Sequence, residues 1–207
     1  MQNCCLGDGK RLILCANAHP SGKHTEHTGN ARIEATMTSY ELFGAVSPNL
    51  AVEILEYNHS QDKPIYRAAM EAVAQARHVR GVFLERQPRA ERHALMVDSL
   101  ARPGLAMAAD TLLRNWLLKR QTNVLVDFLD ALQIKHDKGV VEDLPKTVED
   151  AALRQAVEQL ISRHPPEVVA VYLHAFNVMN AESWANLEQL LKEEPRLQLP
   201  GGAKQPV

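Results

Sequence analysis

Glu56 and His59 stand three residues apart, a spacing that sets both side chains on one face of a helix. Glu-x-x-His is also the motif with which carboxylate-bridged di-iron bundles hold metal. Such a centre needs a second Glu-x-x-His and two more glutamates on facing helices, and no second copy of the motif occurs in the chain. Half a ligand set reads as a polar helix end. Neither a metal nor another cofactor is expected.

A second concentration of chemistry lies at His136, Asp137, Glu142 and Asp143. One histidine and three carboxylates in so short a loop can hold a cation or position a general base. Their order, however, matches no calcium or zinc spacing, and an acidic turn containing Gly139 is ordinarily just solvated. His174 sits inside an apolar run, where it must find a partner or stay neutral. The three cysteines, Cys4, Cys5 and Cys15, lie near His19, His24 and His27, but as an adjacent pair and a single residue they do not form the tight pairs of zinc modules.

Charge is patterned more tellingly. Arg86, Arg89 and Arg92 recur every third residue with His93 beside them, so on a helix the guanidinium groups share an outer face. Arg120 extends the same basic stretch. From Arg77 to Arg120 there are nine Lys or Arg against four Asp or Glu, whereas from Gln121 to Glu158 there are four against eight. This asymmetry predicts one basic and one acidic region on the folded molecule.

The elements that must position these residues change character at Met37. Residues 1–36 hold no aromatic side chain, and their one apolar run, Leu12 to Cys15, is too short for the ~7–15 residues of an export signal. They read as a disordered leader or a non-native upstream extension. Residues 37–195 read as an all-helical globular domain, and 196–207, with two adjacent glycines, as a flexible tail.

Inside the domain, prolines and capping residues mark the helix starts. Ser47-Pro48 opens a helix carrying Leu50, Ile54 and Tyr57, and Asp62-Lys63-Pro64 opens one that runs to about Val79. Pro88 opens another with Ala90, Ala94, Val97 and Ala101 expected inward. Leu112, Leu113, Trp116 and Leu117 form one strong stripe, and Val124, Leu125, Phe128 and Leu129 another. After the long loop at 134–147, Thr147 and Asp150 resemble a capping box. Val168 to Leu173 would also suit a buried strand, but the proline start, Glu167 in the first turn and continuation to Met179 favour a helix. Asn180 is expected to cap a last helix ended by Pro195. The whole is an all-α bundle or small array of about eight helices.

Two functions fit this reading. In the first, a non-catalytic binding or adaptor module docks an acidic protein partner on the face around Arg86, Arg89, Arg92, His93 and Arg120; nucleic acid suits a chain of formal charge −2 less well. In the second, an enzyme uses His136 or His174 with nearby carboxylates as acid and base in a pocket between helices. The chain has no phosphate-binding glycine loop, Gly-x-Ser-x-Gly elbow or His-Glu-x-x-His, so the first is preferred. No apolar run approaches the ~18 residues of a membrane span, and the cytoplasm is the expected compartment.

Overall fold

The computed structural model describes residues 11–12, 37–179 and 184–201. Most of the leader, and with it every cysteine, lies outside the described residues, as does Asn180. Among the described residues there are ten α-helices and one two-residue ribbon. The helices are α1 (Ser39–Ala45), α2 (Pro48–Gln61), α3 (Lys63–Ala76), α4 (Gly81–Arg86), α5 (Arg89–Leu100), α6 (Ala106–Lys119), α7 (Thr122–Ala131), α8 (Asp150–Arg163), α9 (Pro166–Met179) and α10 (Ala185–Glu193). The ribbon pairs β1 (Arg11–Leu12) antiparallel with β2 (Val140–Val141).

Helix α6 is the hub of the first half. It packs against α1, α2, α3 and α5, burying Leu112, Leu113, Trp116 and Leu117. Helices α7 to α10 form the second half, with all six residues from Val168 to Leu173 buried on α9, which is the expected helix. One continuous apolar core joins the halves. Asn58 and Asn115 meet within it: Asn115 Nδ2 donates to Asn58 Oδ1 at 2.8 Å, and Asn58 Nδ2 donates to Ile54 O (2.8 Å) and Leu112 O (3.2 Å), so α2 and α6 are tied by polar groups that water does not reach. No helix of the described residues is long and apolar enough to cross a membrane.

Several expected details differ. A capping box does occur, but at α1, where Thr38 N–H donates to Glu41 Oε2 at 2.7 Å. At α8 the N-cap is Glu149, and Thr147 lies outside the helix. Helix α3 ends at Ala76 because His78 turns left-handed (φ 55°), and Val79 N–H then closes onto Ala74 O at 2.9 Å. Helix α5 is rotated from the expected face: His93, Met96, Ser99 and Leu100 are buried, while Ala90 and Ala94 are exposed. The larger side chains bury more apolar area than alanine, and the two polar ones find partners inside. The N-cap of α10 is Trp184, whose N–H donates to Asn177 Oδ1 at 2.8 Å.

The loop at 134–147 is braced by a turn in which Asp137 and Val140 exchange backbone bonds of 2.9 Å, with Lys138 (φ 51°) and Gly139 (φ 86°) both left-handed. The folded unit also runs past residue 195. Leu197 and Leu199 are buried, and Gly201 N–H donates to Ala45 O at 2.7 Å, so the first part of the expected flexible tail is docked against α1.

Candidate functional site

Three helices converge on one polar centre. Glu56 and His59 share a face of α2, Tyr66 stands in the second turn of α3, and Arg89, Arg92 and His93 occupy one face of α5 at i, i+3 and i+4. The packing of α5 against both α2 and α3 brings the six side chains together.

The bonds form a directed chain. Arg92 Nε donates to Tyr66 Oη at 3.0 Å, and Tyr66 Oη lies 3.1 Å from His93 Nε2. His93 Nδ1 faces Glu56 Oε1 at 3.3 Å, and Glu56 Oε2 is bound by Arg89. Neutral His93 satisfies this chain with its proton on Nδ1, directed at the carboxylate, and Nε2 accepting from the phenol; the tautomer is assigned from the network. Arg89 Nη2 also reaches His59 Nδ1 at 3.3 Å, which places the His59 proton on Nε2. The His59 ring stands edge-on to Tyr66 at 4.8 Å.

Electrostatics keep both imidazoles neutral. Burial first, then Arg89, Arg92 and His59, hold the His93 pKa down at about 4. Glu56 cannot reverse this because Arg89 already neutralises it. Burial, followed by Arg92 and Lys63, also lowers His59. Burial raises the Tyr66 phenol.

A carboxylate–imidazole–hydroxyl chain has the form of an activating relay. Here, however, its end cannot meet a substrate, because Tyr66 is 3% exposed and His93 1%. What the relay does is hold Arg92. With Nε on Tyr66, Nη1 on Glu85 O (3.1 Å) and the Tyr66 ring 6.0 Å from its Cζ, the guanidinium is fixed between α3, α4 and α5.

Of the residues expected to form a basic face, Arg86 and Arg89 are exposed and Arg92 is half-buried at its edge. His93 lies beneath the face rather than on it, so it supports Arg92 and does not itself contact a partner. Arg120 lies off the α4–α5 face, in an open hollow of about 670 Å³ that meets the centre at Glu56 and is also lined by Glu53, Tyr57 and Lys119. Glu56 and His59, read from sequence as a polar helix end, are part of the centre.

The loop residues do not converge. His136 is held by Asp130 Oδ1 (3.1 Å) and by Gly139 N–H (3.1 Å), while Asp137, Glu142 and Asp143 are exposed. His174 is largely buried; its Nδ1 has no partner among the described residues, and burial pushes its pKa down to about 4. Among the described residues no three His, Cys, Asp or Glu side chains gather as a metal would require.

No spacing in the sequence assigns Tyr66 to the centre, and the tip of α4 reads in the sequence only as a short apolar piece, Val82-Phe83-Leu84. There Leu84 is buried while Val82 and Phe83 remain 53% and 52% exposed, next to exposed Arg80 and Arg86. The signal was present as three successive apolar residues in a short segment rich in arginine.

Fold and site define an all-α protein in which a buried polar centre holds Arg92 between α3, α4 and α5. No family model, curated protein or solved structure matches the chain.

Proposed function

We propose that this chain is a non-catalytic helical binding module whose α4–α5 face docks an acidic segment of a protein partner. The observation that carries the reading is the half-exposed pair Val82 and Phe83 on a six-residue helix, flanked by Arg80 and Arg86, which have no partner among the described residues. An exposed aromatic between two arginines suits an interface hot spot, the ring supplying apolar area and the cations supplying register and orientation. The fixed guanidinium of Arg92 extends the basic rim. The net charge of −2 over the whole chain makes the basic patch local, which suits an acidic peptide better than nucleic acid.

An acid–base role for His136 or His174 draws less support. The first is tied into a solvated turn, and the second is largely buried, with its Nδ1 unpartnered among the described residues and with Glu188 too weak to offset burial.

The test is a charge reversal away from the buried chain of bonds. Arg86→Glu combined with Phe83→Ala should abolish capture of an acidic partner, weaken it steeply with salt where residual binding remains, and leave helical circular dichroism unchanged. Arg89→Glu should act in the same direction. A partner retained at full affinity by the Arg86→Glu/Phe83→Ala chain would remove this reading.

A further inference from the structure

Resting on the docking reading, we propose that the mouth of the polar centre, at His59, Lys63, Arg89 and Arg92, is a subsite for a phosphate monoester carried on the docking segment. The argument is one of charge and of donors. Arg89 touches His59, Arg92 lies over the Tyr66 ring that stands edge-on to it, and Lys63 opens α3 four residues further on, while Glu56 is the carboxylate bound within the group. The surplus of two positive charges matches a phosphate monoester, which carries about −1.5 to −2 at neutral pH, better than a single carboxylate.

Donor geometry agrees. Arg89 donates to His59 Nδ1, so the neutral ring offers Nε2–H. Arg92 spends Nε on Tyr66 and Nη1 on Glu85 O, leaving Nη2 with no partner among the described residues. Lys63 is exposed and likewise has none. Two neighbouring anions are already paired: Asp62 is held by Lys119 at 2.9 Å, and Glu56 by Arg89 and His93. A pre-fixed arginine, a second arginine, a lysine and a neutral imidazole donor are the groups that recognise a phosphoryl oxygen array. Exposed Phe83, two residues before Glu85 on the helix that Arg92 grips, gives the same segment an apolar anchor. A protein-borne phosphate is favoured over a lipid headgroup because the chain's overall negative charge repels an anionic membrane.

The full chain is titrated with inorganic phosphate and with O-phosphoserine, following the histidine ring resonances, against sodium chloride at equal ionic strength. A saturable shift confined to His59 and His93, weakened about tenfold or more in Lys63→Ala and restored in Lys63→Arg, supports the subsite. A drift identical in chloride, or an affinity unchanged by Lys63→Ala, overturns it. Phe83→Ala separates the two readings, since it should abolish partner capture and leave the phosphate titration as it was. Retention on vesicles bearing phosphomonoester lipids, without a response to O-phosphoserine, would overturn the protein-borne assignment.

Discussion

At the scale of single residues, two buried histidines set the response of this protein to acid. His93 and His174 both have folded-state pKa values of about 4, below the ordinary 6.5. For a base with a lowered pKa the unfolded chain takes up the proton first, so the stabilisation is complete above about pH 6.5 and is lost as pH falls towards 4. Each group contributes up to about 3 kcal/mol across that window. The exposed carboxylates whose pKa values are lowered by arginine, Glu158 and Glu194, act only below about 4.5 and do not overlap its upper part. Urea unfolding at pH 7, 6 and 5 should therefore show a steady loss of stability. His174→Leu removes an imidazole whose Nδ1 has no partner among the described residues, so it should leave stability at pH 7 near its starting value and reduce the slope, leaving the part due to His93 and His59. An unchanged slope would mean that His174 is not protonated on unfolding.

At the scale of elements, the helix boundaries set by proline were legible and those set by left-handed residues were not. Ser47-Pro48 and Pro166 mark their starts by chemistry that needs only neighbouring residues. The ends of α3 and α7 instead use left-handed His78 (φ 55°) and Gln133 (φ 57°), where the common glycine signal is absent. The polar centre was half legible for a similar reason. The spacing of Glu56 with His59, and of Arg89 with Arg92, is written in the chain, but that α5 turns His93 rather than Ala94 inward is decided by Tyr66 on another helix. The left-handed caps yield a direct prediction. Replacing exposed His78 with glycine relieves a strained conformation and should stabilise by about 1 kcal/mol, raising Tm by about 2–4 °C for a domain of this size. Gly139→Ala should do the reverse, because a Cβ there would lie 2.7 Å from Leu125 Cδ2 at a φ of 86°. A thermal melt of each variant checks the pair, and equal effects of the two substitutions would contradict the assignment.

At the scale of the whole molecule, the two halves are joined by more than their shared core. Glu167, in the first turn of α9, extends its carboxylate to the start of α2, accepting from Ser47 N–H and from Ser47 Oγ at 2.9 Å. One residue therefore caps a helix 120 positions away, and the dipole of α2 adds to the attraction because its amino end is positive. Gly201 N–H on Ala45 O closes the same seam from the chain's other end. Glu167→Ala leaves a partly buried donor unpaired and should cost about 1–3 kcal/mol, with Glu167→Gln recovering part of the loss. Two tryptophans report the halves separately: Trp116 lies on α6 and Trp184 at the start of α10. Because the apolar core runs through both, adding Glu167→Ala to each single-tryptophan chain should lower its urea midpoint by the same amount. Unequal shifts for the two reporters would show that the Ser47–Glu167 bond, rather than the core, makes the halves one cooperative body.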